Sequence, residues 1–268
     1  MPLTKFQIIV LQLLKKHRNP NSYVAGGIAI HRANTSIRQS NDIDFFHDTD
    51  EAVTTSAQID LSRLSENGYR ITILIDQPSF IRAVIAKNTD SLKLEWARDT
   101  AFRFFPVIED ELLGFRLHDV DLTVNKCLAL ANRNEVRDIV DIIELDKTVL
   151  ALSSACWAAC GKDPGFTPEL LLDCMRRHSI IRPEQLAAES FTKKIALPDL
   201  KKRWLSLMHS AEAQIHIFPT EDIGCLYLNP DGRVVQSPHM ETLTLKDKVR
   251  HFGSVGGSWP RIIQEGPL

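Results

Sequence analysis

Two aspartates separated by a single isoleucine, Asp42-Ile43-Asp44, are the residues of this chain best placed to do chemistry, and a glycine pair, Gly26-Gly27, stands shortly before them. The flanking Phe45 and Phe46 mark a strand anchored to a core, and side chains at i and i+2 of a strand leave from the same face. Both carboxylates then address one divalent cation, or two adjacent ones. A glycine pair at the mouth of a short helix lets main-chain N–H groups approach phosphate oxygens with no Cβ in the way. Glu95 lies in a run where its neighbours Leu94 and Trp96 face the other way, which makes it the candidate third acid. Three acids on inner strands repel one another and take up protons unless a cation sits among them. Mg2+ suits such oxygen ligands, and a phosphate cradle beside it is the minimum equipment for moving a phosphoryl or nucleotidyl group. Two acids around one isoleucine are, taken alone, commonly solvated loop residues; the apolar flank and the glycine pair are what set this pair apart.

The elements that must position these residues follow from capping and periodicity. Thr4 is placed to cap a helix running to Lys16, with Phe6, Ile9, Val10, Leu13 and Leu14 at helical spacing. Tyr23 to Ala25 reads as a short strand, Gly27 to about Ala33 as a short helix, and Arg38 and Ser40 lie in the polar loop before the acidic strand. Asp50 is expected to cap a helix that stops at Asn67-Gly68. Three strands follow, Tyr69 to Ile75, Phe80 to Ala86 and Ser91 to Trp96. From about Asp119 the pattern turns helical. Lys126 falls between Val124 and Leu128 on a mostly apolar helix, so partial burial is expected, and a buried ammonium needs a partner such as Asp138 or Asp141 on the next helix. Thr167-Pro168-Glu169, Arg182-Pro183-Glu184 and Leu197-Pro198-Asp199 open further helices. Asn229-Pro230-Asp231-Gly232 is a hairpin turn between Ile223–Leu228 and Arg233–Gln236. The fold class is therefore α/β (α+β): a mixed sheet with flanking helices in 1–117, a helical region in 118–213, and a terminal β-hairpin and tail in 214–268.

Composition narrows the setting. The 268 residues are 44% hydrophobic and 25% charged, with a formal net charge of −2, so charge alone does not advertise nucleic-acid binding. The five cysteines show no zinc-type pairing, and Cys156 and Cys160 read as part of a small-residue packing face; the set points to a reducing cytoplasm. The N-terminus reads as an amphipathic helix and not as a signal peptide or a membrane span.

Gly26-Gly27 followed by Ser40-Asn41-Asp42-Ile43-Asp44-Phe45 resembles the signature of the nucleotidyltransferase superfamily. The arrangement as a whole is most similar to the AbiEii/AbiGii toxin branch, whose members are toxins of bacterial toxin–antitoxin systems. The second half of the likeness is Asp121 to Leu130 with its Lys126, then Arg133 and Arg137-Asp138-Ile139-Val140-Asp141. It spans about Ser22 to Leu145. The resemblance implies a nucleoside triphosphate substrate and Mg2+ held by Asp42 and Asp44. Glu95 would be the third acid, binding metal and taking the proton of the attacking hydroxyl, where aspartate is more usual. Gly26 and Gly27 would support the triphosphate, with side-chain contacts from Arg38 and Ser40. Lys87 or Lys93 is a further candidate phosphate contact. Lys126 would neutralise phosphate charge, and Asp138 or Asp141 would orient it or complete the site.

In that branch the acceptor is often a tRNA end, and Lys193, Lys194, Lys201, Lys202 and Arg203 form a basic cluster fit to touch an RNA backbone. An antitoxin protein is the implied partner, and no membrane is involved. Two other readings stay open: an antibiotic-type transferase with a small-molecule acceptor, and a nucleotidyltransferase fold kept as a binding module, which the changed third acid permits.

Overall fold

The computed structural model describes residues 3–32, 37–237 and 248–260. The chain divides into two compact units, one of Met1–Ala101, Pro106–His118 and Glu189–Lys194, the other of Phe102–Phe105, Asp119–Ala188 and Ile195–Leu268.

The first unit is built on a mixed sheet. Helix α1 (Lys5–Leu14) starts at Thr4 with a reciprocal cap: Gln7 N donates to Thr4 Oγ1 at 3.1 Å and Thr4 N to Gln7 Oε1 at 2.8 Å. Strand β1 (Ser22–Ala25) runs into the short helix α2 (Gly26–Ile30), and the acidic strand β2 is Asp42–His47. Helix α3 (Asp50–Glu66) is capped by Thr49, not Asp50. Thr49 has the extended backbone that a cap requires and accepts from Ala52 N at 3.1 Å, while Asp50 sits in the first turn, where a carboxylate complements the helix dipole. Then come β3 (Arg70–Gln77), β4 (Phe80–Lys87) and β5 (Asp90–Arg98), and later β7 (Ile108–Asp110) and β8 (Gly114–Arg116), with β6 (Phe102–Arg103) between them in sequence. The seven-stranded sheet has the order β3-β4-β5-β2-β1-β8-β7. Strand β2 is antiparallel to β1 and parallel to β5, so both sheet directions meet at the acidic strand.

One face of β2 and β5 is core. Ile43, Phe45, Leu94 and Trp96 are buried there, and α1 and α3 pack against these strands. A polar clamp lies inside that core. Asp60 of α3 accepts from Trp96 Nε1 at 2.9 Å and from Arg18 Nη2 at 2.5 Å, and its other oxygen lies 2.8 Å from His17 Nδ1. The Arg18 guanidinium in turn covers the Phe45 ring at 4.3 Å. Phe45 and Trp96 are register partners, so the clamp fixes the rung next to the one that matters for chemistry.

The second unit is mainly helical: α4 (Asp119–Asn132), α5 (Val136–Thr148), α6 (Leu152–Lys162), α7 (Pro168–Arg177), α8 (Pro183–Ala188) and α9 (Leu197–Ile215). Helix α4 packs against α5, α6 and α7. Thr167 caps α7 with proline at its first position, as the sequence indicates. Cys156 and Cys160 are buried within α6. The Asn229–Gly232 turn forms, with Gly232 N donating to Asn229 O and Asn229 N to Arg233 O, both at 2.8 Å, and a bridge joins Leu228 to Val234. The regular ladder of β9 (Cys225–Leu228) is with β10 (Val249–Phe252), and β11 (Ser254–Val255) pairs with β6. The strand that completes this ladder thus comes from further along the chain than the turn itself.

Candidate active site

Parallel pairing of β2 and β5 sets Asp44 opposite Glu95 and Asp42 opposite Lys93. Since Ile43, Phe45, Leu94 and Trp96 take the core face, alternation sends Asp42, Asp44, Lys93 and Glu95 to the other. There Asp42, Asp44 and Glu95 each offer an oxygen within 4.8 Å of the others, the spacing of ligands around one hard cation or a close pair.

The glycines shape the ground beside the acids. Gly26 has φ +62°, and a Cβ on it would stand 2.0 Å from Asp44 Oδ2. Only glycine takes that backbone without strain and leaves the Asp44 carboxylate its place. A Cβ on Gly27 would meet Ser40 Oγ at 2.6 Å and Arg38 Nη2 at 2.8 Å. Ser40 Oγ donates to Asp42 Oδ1 at 3.0 Å, and the Ser40 carbonyl accepts from Gln7 Nε2 at 2.6 Å. Gln7, the reciprocal partner of the Thr4 cap, therefore also holds the loop that aims Asp42. Arg38 is buried; its guanidinium reaches the Gln39 carbonyl at 3.1 Å and lies 3.7 Å from Glu189. It braces the loop from within.

Two cations of the protein itself meet the acids. Lys93 Nζ lies 3.0 Å from Asp42 Oδ2 and 3.0 Å from Glu95 Oε1. Arg82, opposite Glu95 on β4, donates through Nε to Glu95 Oε1 at 2.9 Å and stacks its guanidinium 5.0 Å over the Phe80 ring. Burial acts to lower the Lys93 pKa, but its bonds to Asp42 and Glu95 prevail and hold it above the usual lysine value. Lys87, the other lysine considered for a phosphate contact, instead donates to the Asn67 carbonyl at 2.7 Å and covers the Tyr69 ring.

In the second unit, Lys126 Nζ is held by Asp138 Oδ1 at 2.7 Å and Asp141 Oδ2 at 2.9 Å, so both aspartates take it and not one alone. Both carboxylates are buried, and Arg133 adds a bond from Nε to Asp138 Oδ2 at 2.8 Å. Burial would raise the Asp138 pKa, yet Lys126 and Arg133 together pull it below the usual carboxylate value. At the start of α4, Asp121 accepts from Phe104 N at 2.7 Å and Phe105 N at 3.1 Å, while burial pushes its carboxyl up to about 6.

Known structures share this architecture. JHP933 from Helicobacter pylori aligns with a TM-score of 0.52 at 17% identity, covering 81% of this chain and 94% of its own. MenT4, a nucleotidyltransferase toxin from Mycobacterium tuberculosis, aligns at 0.51 and 16% identity, covering 81% of this chain and 83% of its own. The chain has the nucleotidyltransferase fold. No protein-family model matches it, and no curated protein matches it in sequence.

Within this nucleotidyltransferase fold, the residues that sequence reasoning passed over are Arg82 and Asp60. Arg82 reaches Glu95 only through the register of β4 on β5, and nothing near it in the chain signals that. Lys93 carried a signal, since it stands two residues before Glu95 and so shares its face. Asp60 lies mid-helix in α3 and reads as a solvated residue, yet it is fully buried.

Proposed function

We propose that this chain is a Mg2+-dependent nucleotidyltransferase that moves a nucleoside monophosphate from a nucleoside triphosphate to an acceptor hydroxyl on RNA, tRNA in particular. On this reading it is a cytoplasmic toxin restrained by an antitoxin protein. The observation that carries the proposal is the meeting of Asp42, Asp44 and Glu95 beside the left-handed Gly26, whose missing Cβ leaves Asp44 Oδ2 clear. The set is all oxygen, which fits Mg2+ over softer metals. When bound, the cation neutralises phosphate charge and lowers the pKa of the attacking hydroxyl.

The chain's own residues have distinct tasks. Asp42 and Asp44 would hold the metal. Ser40 fixes the Asp42 carboxylate through their 3.0 Å bond. Glu95 accepts the hydroxyl proton. The main chain at Gly26 and Gly27 bears the phosphates, with Arg38 and Ser40 beside it. Lys126, held by Asp138 and Asp141, is assigned the neutralisation of triphosphate charge. Support for an RNA acceptor comes from the exposed Lys201, Lys202 and Arg203 on α9, and support for a toxin from the likeness to a nucleotidyltransferase toxin. Among the described residues no helix is long and apolar enough to cross a membrane.

The test is incubation with Mg2+, total RNA and each labelled nucleoside triphosphate in turn. Label should enter RNA with the wild-type protein and fall by about a hundred- to a thousandfold with Asp44→Asn, the scale of losing a transition-state charge contact. Failure of all four nucleotides to transfer to any acceptor, or full activity in Asp44→Asn, refutes the reading.

A further inference from the structure

Three carboxylates with oxygens within 4.8 Å of one another need positive charge, and here the protein provides it from its own side chains. Lys93 Nζ bridges Asp42 Oδ2 and Glu95 Oε1 at 3.0 Å each. It thus stands between two of the three carboxylates that would hold a divalent cation. A cation coordinated by those carboxylates at about 2.1 Å would lie within several ångströms of an ammonium still bonded to them, and two positive charges that close repel. The two therefore compete for the same carboxylates. Arg82 is the less free to go, because its planar guanidinium is bonded to Glu95 and laid over Phe80. Lys93 is a point charge on a flexible stem; its side chain is 34% exposed, as that of Arg82 is, so the fixed planar fork and not access to solvent separates the two.

We propose that Lys93 is a resident counter-cation that keeps the acids assembled in the metal-free protein, yields its place to the incoming metal, and then pairs with the phosphates that the metal brings. This rests on the metal reading above and deepens it. Metal alone then binds against Lys93, while metal with nucleotide does not, because the displaced ammonium gains a phosphate partner. Lys93 is in this way a source of cooperativity between the two ligands.

The experiment is titration of Mn2+ alone into the purified protein, followed by the electron paramagnetic resonance of the free ion. Lys93→Met should bind Mn2+ about 5- to 30-fold more tightly than wild type, the range of two partly exposed ion pairs no longer opposing the metal. Lys93→Arg should stay near or below wild type, since it keeps the charge. Lys87→Met, away from the acids, should match wild type. Thermal melts of each variant certify folding, and Lys93→Gln serves if Lys93→Met melts early. In transfer assays at saturating metal, Lys93→Met should raise KM for the nucleotide about tenfold, the scale of one lost charge-assisted contact. Equal or weaker Mn2+ binding by folded Lys93→Met and Lys93→Gln overturns the inference while leaving the metal site standing. No Mn2+ binding by any form, wild type included, overturns the metal reading and this inference with it.

Discussion

Replacing Gly26 by alanine is the most local perturbation of the candidate site. Its φ of +62° puts it in the left-handed region, where a Cβ costs about 1–2 kcal/mol. The new methyl would fall 2.0 Å from Asp44 Oδ2 and 3.0 Å from Asp44 Cγ. Carbon and oxygen settle at roughly 3.3 Å or more, so the carboxylate has to move by more than about 1 Å. Forcing Asp44 off its rotamer adds about 0.5–1.5 kcal/mol. Gly26→Ala is therefore expected to lose about 2–3 kcal/mol of stability, or some 4–12 °C in Tm for a domain of this size class. Its larger effect is on metal, because Asp44 is a ligand displaced outright: Mn2+ affinity should fall by about a hundredfold or more. Gly27→Ala is the internal control. Its Cβ meets Ser40 Oγ, Arg38 Nη2 and, at 3.1 Å, Ser40 Cβ, but no atom of the three acids, and alanine is favoured over glycine in a helix by up to about 1 kcal/mol. It should lose less of both quantities. Melting curves and Mn2+ titrations of the two variants decide the matter. Wild-type Mn2+ affinity in Gly26→Ala, or a greater loss in Gly27→Ala, would refute the reasoning.

Other expectations follow from the buried charges. Asp60→Asn leaves Arg18 buried beside a neutral group and should cost about 3–5 kcal/mol by chemical denaturation, whereas Trp96→Phe removes one hydrogen bond and should cost about 1 kcal/mol; equal effects would contradict the clamp. Lys126→Met takes the ammonium from the buried Asp141 and leaves Asp138 with Arg133, and should also cost about 3–5 kcal/mol, with Lys126→Met/Asp141→Asn recovering part of it in the same denaturation assay. Burial, reinforced by Arg18, lowers the His47 pKa from 6.5 to about 4, so its contribution is complete above pH 6.5 and is lost as pH falls through about 4, up to about 3 kcal/mol. Asp121 runs the other way: its carboxyl is raised from 3.8 to about 6, so its contribution is complete below pH 3.8 and is lost as pH rises through about 6, again about 3 kcal/mol. His47 belongs to the first unit and Asp121 to the second. Hydrogen exchange between pH 4 and 7 should show protection of the first unit weakening on acidification and that of the second strengthening; parallel trends would contradict both assignments.

How far the site was readable depends on whether a residue's partner lies nearby in sequence. The acidic strand was legible because Ile43 and Phe45 alternate with Asp42 and Asp44, and the orientation of Glu95 because Leu94 and Trp96 alternate with it. The meeting of Glu95 with Asp44 was an expectation drawn from their shared chemistry. What realises it is the parallel pairing of β2 with β5, a contact that spans a helix and two strands of intervening chain. The sequence also called for an external cation to relieve the three acids, and it did not disclose that Lys93 and Arg82 already do so, because Arg82 arrives by tertiary register. The cap of α3 was misplaced by one residue for a related reason. Thr49 and Asp50 are both able caps, and backbone geometry chooses between them. The Asn229–Gly232 turn was plain in its residues, but the Val249–Phe252 strand is too short and too mixed in character to declare itself.

The most direct test is a crystal structure of the protein soaked with Mn2+ and a nucleoside triphosphate carrying a non-hydrolysable α,β linkage, read by the anomalous signal of manganese. The account requires an anomalous peak at coordination distance from both Asp42 and Asp44, phosphate density against Gly26 and Gly27, and Lys93 turned away from Asp42. Manganese bound elsewhere with these two carboxylates bare, or nucleotide seated away from the glycine pair, would contradict it.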